Sequence, residues 1–176
     1  MNKEIKYIPG DLVMTNGVPL GTAKDVVYRV TSSDPSKTLK LADGTVLKGT
    51  VRLDNLEGAK FGDKGYLLGE CCAWVKDIVP IPLVPTILEK NGWRKSLGWS
   101  IIGEDKRGYQ FAKELDDEWD DLDRLTYGDL QICQCNNLRD WHYINECNHY
   151  FHFEFTYVHE LQHLLFGLRI NNNMEV

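Results

Sequence analysis

The chain has 176 residues, 43% of them hydrophobic and 11% aromatic, which is enough apolar material for one ordinary domain or two small ones. Its formal charge is −6, from 20 Lys and Arg against 26 Asp and Glu. An acidic chain repels a phosphate backbone unless its charge is strongly segregated, so nucleic acid is a poor candidate partner. The five cysteines are odd in number, which disfavours a disulfide framework.

The sequence contains no apolar run that approaches the roughly 20 residues needed to cross a bilayer. The first residues, Met1 to Glu4, lack the apolar stretch of a secretory signal. We therefore expect no membrane partner, a location in the cytoplasm of the cell that makes the protein, and reduced thiols.

From Ile5 to about Val79, short segments rich in β-branched and aromatic residues alternate with turn residues. The strands predicted there are Asp11–Met14, Val26–Val30, Lys37–Leu41, Thr45–Leu53 and Tyr66–Val75. Asp43-Gly44 is the strongest turn signal, because a two-residue hairpin turn needs positive φ at its centre. Five short strands without a helical period predict an SH3-like small β-barrel over residues 1–79.

A proline-rich segment follows, with Pro80, Pro82 and Pro85 within six positions. Proline prevents regular hydrogen bonding and favours an extended path, so this segment is a predicted domain boundary. Its apolar residues must be buried, which predicts a fixed joint; they are Ile81, Leu83, Ile87, Leu88 and Trp93. A short helix is predicted over Thr86–Asn91, with Gly92 placed to end it.

Residues 80–176 are predicted to form a second small module of strands between two helices. The predicted strands are Trp99–Ile102, Tyr109–Ala112, Leu130–Cys135, Trp141–Ile144 and Tyr150–Phe155. The final helix is predicted over Tyr157–Leu168. The chain as a whole is therefore predicted to be α+β.

Two segments carry a resemblance. Ile78 to Trp93 reads I-x-P-I-P-L-x-x-x-I-L-x-K-x-G-W, and Tyr157 to Leu168 reads Y-V-H-x-L-Q-x-L-x-F-x-L. In these segments and in its layout the chain resembles a group of small uncharacterised proteins encoded by phages and prophages of gut bacteria. The resemblance implies an N-terminal strand module, a variable β-rich stretch and a terminal helix. It implies a genomic context, with the cytoplasm of the host bacterium as the location, and an architecture, but no mechanism.

The terminal helix contains His159-Glu160-x-x-His163, a match to the H-E-x-x-H motif in which two histidines bind zinc and the glutamate polarises a metal-bound water. The helical wheel places both histidines close together on the face opposite an apolar stripe. That stripe consists of Tyr157, Val158, Leu161, Leu164, Leu165 and Leu168. The same wheel describes an ordinary amphipathic helix with histidines facing water, and we expect this second arrangement.

A catalytic zinc needs a third protein ligand. The longer motif H-E-x-x-H-x-x-G-x-x-H supplies a third histidine, but this chain has Phe166 at its glycine position and Arg169 at its third histidine position. Downstream, only Glu175 could bind a metal, and it lies in a polar tail that we expect to be loose. Upstream candidates are Cys133, Cys135, Cys147, His149 and His152. The blander expectation is that Cys133 and Cys135 pack on one side of a strand, and that His152 and Glu154 face solvent. The resemblance implies that Gln and Asn are accepted at positions 160 and 163.

Residues 114–123 hold seven carboxylates in ten positions. The spacing does not fit an EF-hand loop, because Asp121 stands at the glycine position and Tyr127 at the terminal glutamate position. A solvated loop is the simple interpretation. The functional alternative is an acidic surface for a basic host protein with an aromatic anchor; its candidate residues are Glu114, Asp116, Asp117, Glu118, Trp119, Asp120 and Asp121.

These patterns favour a non-catalytic binding protein of phage or mobile-element origin that acts on a host protein or a small molecule, without a cofactor. A zinc-dependent hydrolase is the alternative. It is the only enzyme class for which the sequence supplies candidate residues, because no phosphate-binding glycine loop or nucleophile elbow is present. A structural component of a phage particle is a third alternative. The sequence leaves homo-oligomer formation open.

Overall fold

The computed structural model describes residues 6–96, 108–113, 130–135, 141–144 and 150–176. The chain divides into two compact units, Met1–Ile81 and Pro82–Val176, which we name the first and the second unit. The described residues form ten strands and two α-helices, so the predicted α+β class is confirmed. In these parts of the chain, no helix is long and apolar enough to cross a membrane. The predicted strand Trp99–Ile102 lies outside the described residues.

The first unit is one antiparallel sheet around an apolar core. Its strands are β1 Leu12–Thr15, β2 Tyr28–Lys40, β3 Val46–Asn55, β4 Cys71–Trp74 and β5 Ile78–Pro80. They are hydrogen-bonded in the order β4-β3-β2-β1-β5, and a 3₁₀ turn joins β4 to β5. Alternate residues of the strands point inward, and the buried cluster consists of Tyr7, Val13, Tyr28, Val30, Val51, Leu53, Leu67, Cys71, Ala73 and Ile78.

The strands β4 and β5 are the two edges of this sheet. Within residues 6–81, no hydrogen-bonded pairing joins the two edges. A closed SH3-like barrel is therefore not confirmed. What the first unit shows is a five-stranded antiparallel sheet whose last strand lies beside its first.

The β2 strand corrects the prediction of two separate strands, Val26–Val30 and Lys37–Leu41. It is continuous over 13 residues, and it absorbs the polar run around Pro35 through two register shifts against β3. One shift lies between Val30 and Ser32, and the other between Asp34 and Thr38. A bulge lets a strand continue through a residue that cannot join the ladder, so the proline does not end the strand.

The turn at Asp43-Gly44 is present but is longer than predicted. Leu41 donates its N–H to the carbonyl of Thr45 at 2.8 Å, and Gly44 donates to the carbonyl of Leu41 at 3.0 Å. The loop therefore has three residues and ends on Gly44, whose φ is 87°. A left-handed residue at the end of the loop is the common geometry of three-residue hairpin loops.

The predicted strand Tyr66–Val75 is wrong in its first half, because only Cys71–Trp74 pairs with β3. Residues 66–70 belong instead to the β3–β4 loop. The side chain of Asn55 bonds both backbone groups of Leu67. Its amide N–H donates to the carbonyl of Leu67 at 2.7 Å, and its amide oxygen accepts the N–H of Leu67 at 2.9 Å. These bonds satisfy the loop backbone without a neighbouring strand.

The second unit contains a second antiparallel sheet and both helices. Its elements are α1 Pro85–Lys90, β6 Arg94–Ser96, β7 Gly108–Lys113, β8 Leu130–Cys135, β9 Trp141–Ile144, β10 Tyr150–Phe155 and α2 Val158–Gly167. The strand order is β10-β9-β8-β7-β6. Three strands, β8 to β10, have the predicted bounds, β7 is longer by one residue at each end, and β6 was not predicted. Phe111 and Trp141 pack edge to face, with ring centroids 5.8 Å apart.

The proline-rich joint is ordered where it enters the second unit. Leu83 donates its N–H to the carbonyl of Thr156 at 2.9 Å, and its own carbonyl accepts the indole N–H of Trp141 at 3.1 Å. Pro85 opens α1 at its first position, where a missing N–H costs nothing. Of the apolar residues predicted to be buried, Ile87 is half-buried and the others are buried, namely Ile81, Leu83, Leu88 and Trp93.

Candidate functional site

The terminal helix α2 carries the H-E-x-x-H segment, and its buried face is wider than predicted. Val158, Leu161 and Leu165 are buried as the apolar stripe requires. Leu164 is half-buried, and Leu168 lies at the end of the helix and is 42% exposed, so the predicted stripe is wrong at its last position. The buried face instead includes His159 and Gln162.

Glu160 stands at the third position of the helix and serves its N-terminus. Its Oε2 accepts the backbone N–H of Thr156 at 2.8 Å and that of Tyr157 at 3.2 Å. The first N–H groups of a helix have no partner within the helix, and a carboxylate there also stabilises the helix dipole. The glutamate that would polarise a zinc-bound water is thus engaged as a helix cap.

The predicted exposure of His159 is wrong. Its side chain is 1% exposed, and its ring stacks on that of Tyr157, with centroids 5.9 Å apart and planes 12° apart. His163 is half-buried, and its ring meets that of His159 edge to face at 5.7 Å. The spacing of the motif does bring the two imidazoles together, as predicted. A helical wheel cannot show that other residues of the second unit cover the helix on more than one side.

The tail after α2 is bound, which corrects the expectation of a loose tail around Glu175. The side-chain amide of Asn91 donates to the carbonyl of Glu175 at 2.7 Å and accepts its N–H at 2.8 Å. The buried amide of Gln162 donates to the carbonyl of Asn172 at 3.2 Å, and Met174 is buried. We name residues 171–176 the tail strap. It places the backbone of Glu175 at the end of α1.

The candidate ligands do not assemble into a metal site within the described residues. There, no group of three or more His, Cys, Asp or Glu side chains is placed to hold a metal ion. Cys133 is a buried free cysteine on β8, as the packing interpretation expects. Cys147 and His149 lie outside the described residues, as do the side chains of Cys135 and His152.

Cross-strand register brings together three residues that the sequence patterns did not connect. Cys133 on β8 stands opposite His142 on β9, and His142 stands opposite Glu154 on β10. Directly opposed residues share a face of a sheet, so a thiol, an imidazole and a carboxylate form one row. Glu154 is exposed as predicted, but Cys133 is 0% exposed, so solvent does not reach its thiol. No local sequence signal could have revealed this row, because it depends on strand pairing.

The predicted acidic surface, Glu114 to Asp121, lies outside the described residues. Comparison with family models, with curated proteins and with solved structures found no match to this chain. The resemblance to phage and prophage proteins therefore stays a prediction from the two motif segments.

Proposed function

We propose that this chain is a non-catalytic binding protein of phage or mobile-element origin that acts on a host protein. The non-catalytic part of the proposal rests on the position of Glu160, whose carboxylate accepts two backbone N–H groups at the start of α2. Zinc hydrolysis would require that carboxylate beside a metal-bound water. The imidazole of His159 is buried and stacks on the ring of Tyr157, which is a packing role that needs no metal. The motif then has a structural role in closing the second unit.

The first unit supports this proposal as a small antiparallel β-module. Its last strand, β5, pairs with its first strand, β1, and a 3₁₀ turn joins β4 to β5. Small β-modules of this kind present their connecting loops and hairpins as contact surfaces on a rigid sheet. A module that positions such surfaces, rather than a chemical centre, agrees with the proposed class.

The β2–β3 hairpin offers a contact surface for a partner of negative charge. Thr38 pairs with Lys48 and Lys40 with Val46, so these four exposed residues share one face, which we name the hairpin surface. Neither lysine takes part in an ion pair within the described residues. The nearby carboxylates of Asp34 and Asp43 accept hydrogen bonds from Ser36 and Thr45 rather than from these lysines, and those bonds lower the pKa of both carboxyls.

Two measurements test the proposal. Protein purified without added zinc or chelator should carry no stoichiometric transition metal, and Glu160→Gln should change only the stability of the helix. Stoichiometric zinc that is lost in His163→Asn would establish the hydrolase alternative instead.

The second measurement places a photo-crosslinking amino acid at Val46 in a bacterial host. We expect an adduct with a protein of acidic surface, identified by mass spectrometry. Lys40→Glu with Lys48→Glu should abolish the adduct, and the matched Lys→Arg pair should keep it. An adduct that survives charge reversal would contradict the hairpin surface as the contact.

A further inference from the structure

Four of the most exposed apolar side chains of the first unit lie on two neighbouring loops. They are Val18 and Leu20 in the β1–β2 loop, 69% and 91% exposed, and Phe61 and Leu68 in the β3–β4 loop, 80% and 86% exposed. We name these four residues the loop surface. Side chains of this size present on the order of 500 Å² of apolar area, at the upper end of what a monomer shows.

The two loops are joined through the buried hydroxyl of Tyr28. It accepts the N–H of Ala23 at 2.9 Å and donates to the carbonyl of Gly65 at 3.0 Å. A Cβ at Gly65 would collide with this hydroxyl and with Ala23, so glycine is what permits the close approach. A Cβ at Gly21 would likewise lie 3.2 Å from the side chain of Leu67, so residues 21–23 lie against residues 65–67 and the chain at Leu20 comes close to the chain at Leu68.

Further bonds hold each loop in one conformation. Thr15 and Thr22 bond through their hydroxyls at 3.0 Å, and Asp63 accepts the N–H of Lys60 at 2.7 Å. The ring of Phe61 meets that of Tyr66 edge to face, with centroids 6.1 Å apart. The apolar side chains are thus presented from a fixed framework, so little ordering entropy remains to be lost when a partner binds.

The charges around the loop surface are of both signs. Apart from Glu70, which pairs with Arg52 at 3.1 Å, three lysines and three carboxylates are exposed in the same two loops; they are Lys24, Asp25, Glu57, Lys60, Asp63 and Lys64. A partner of uniform charge would place like charges opposite half of this rim. A second copy related by a two-fold axis presents the same mixture, so each sign can face its opposite.

The distribution of charge along the chain favours the same occupant. Residues 1–81 hold 11 basic and 10 acidic side chains, whereas residues 82–176 hold nine basic and 16 acidic ones. Net repulsion between two copies therefore originates in the second unit, and the first unit is the part that a second copy can approach.

We propose that a second copy of this chain occupies the loop surface and forms a two-fold symmetric dimer through the first unit. An interface of standard size covers about 800 Å² on each partner, with an apolar centre and a polar rim. The four apolar residues form the centre, and the six charged residues form the rim. The hairpin surface lies on other residues, so the dimer and the proposed host partner do not depend on each other.

The test is the mass of the protein in solution, measured by light scattering and native mass spectrometry at about 100 µM. The wild-type chain should have twice the mass of one copy, and Leu20→Ser with Leu68→Ser should have the mass of one. The control is Lys40→Glu with Lys48→Glu, which should remain a dimer. A wild-type monomer, or a dimer that survives the loop substitutions, would overturn the proposal.

Charge reversal at the rim gives a second test that leaves the apolar centre intact. An acidic-rim variant carries Lys24→Glu, Lys60→Glu and Lys64→Glu. A basic-rim variant carries Glu57→Lys and Asp25→Asn, because Asn tolerates the φ of 61° at that position. Each should be monomeric alone, with the melting curve of a folded protein, and the two should form a heterodimer when mixed. Failure of the mixture to associate would refute the two-fold pairing of the rims.

Discussion

The loops of the first unit and the tail strap of the second are held by the same chemistry but differ in exposure. In both, a polar side chain bonds the backbone of an irregular segment: Tyr28 and Asn55 in the first unit, Asn91 and Gln162 in the second. The loops leave Val18, Leu20, Phe61 and Leu68 in solvent, whereas the tail buries Met174. Hydrogen bonds from side chains to the backbone therefore do not determine the role of an irregular segment. The position of its apolar side chains distinguishes a surface for contact from a segment that closes a core.

The largest expected effect is in the helix beside the tail strap. Leu161→Ala should lower the free energy of unfolding by about 2–5 kcal/mol, because the side chain is fully buried and leaves a cavity. Leu168→Ala is the matched control, and we expect a change of less than about 1 kcal/mol because its side chain is 42% exposed. Urea denaturation followed by circular dichroism measures both. Equal effects would show that the helix does not pack along the face described.

Tyr28→Phe tests the framework of the loops. It removes the hydroxyl that bonds Ala23 and Gly65, and it leaves the N–H of Ala23 and the carbonyl of Gly65, both in half-buried residues, without this partner. We expect a loss of about 1–3 kcal/mol in the free energy of unfolding. Tyr66→Phe serves as the control, because the hydroxyl of Tyr66 makes no hydrogen bond within the described residues. If the two substitutions cost the same, the hydroxyl of Tyr28 does not tie the loops together.

Asn91→Ala tests the tail strap. It removes both bonds to the backbone of Glu175 and one to the carbonyl of Ile87. These groups are near the surface, so we expect a loss of about 1 kcal/mol and faster amide exchange at Glu175. The control is Asn173→Ala, whose exposed side chain makes no hydrogen bond in the described structure. Unchanged exchange in Asn91→Ala would mean that the buried Met174 alone holds the tail.

The smallest expected effect is a dependence on alkaline pH. Burial raises the pKa of the Tyr28 hydroxyl above its ordinary value of 10.0. The neutral hydroxyl therefore stabilises the folded state fully below about pH 10, and this contribution is lost as the pH rises through the folded pKa. The stability difference between the wild type and Tyr28→Phe should stay constant to about pH 10 and narrow above it. A difference that grows with pH would contradict a raised pKa.

Part of the fold could be predicted because local patterns agree with the final pairing. The bounds of β8, β9 and β10 follow from period-2 alternation between turn residues. The single strand β2 could not be predicted in the same way, since its polar middle has low β-propensity and is held by bulges against β3. The tail strap has no periodic pattern at all. Its order depends on Asn91, more than 80 residues earlier in the chain.

The spacing of the two histidines in the candidate site could be predicted from the sequence, but the burial of His159 could not. The i, i+4 interval brought the imidazoles of His159 and His163 together, with centroids 5.7 Å apart. The burial of His159 depends on tertiary packing, which a wheel does not contain. The role of Glu160 was accessible, because a glutamate three residues after the start of a helix is a known capping signal. The same glutamate also fits the H-E-x-x-H motif, and the sequence pattern alone does not distinguish the two roles.

The pairing of β5 with β1 has a consequence for how the first unit folds. Val13 on β1 stands opposite Pro80 on β5, so the two ends of the unit meet although these residues are 67 positions apart in the sequence. During synthesis, β1 has its partner β2 within about 15 residues but waits for β5 until almost the whole unit has left the ribosome. Contacts of such long sequence separation slow folding, because the loop-closure entropy must be overcome first. The β2–β3 hairpin is therefore the expected early structure, and the pairing of β5 the late step that completes the sheet.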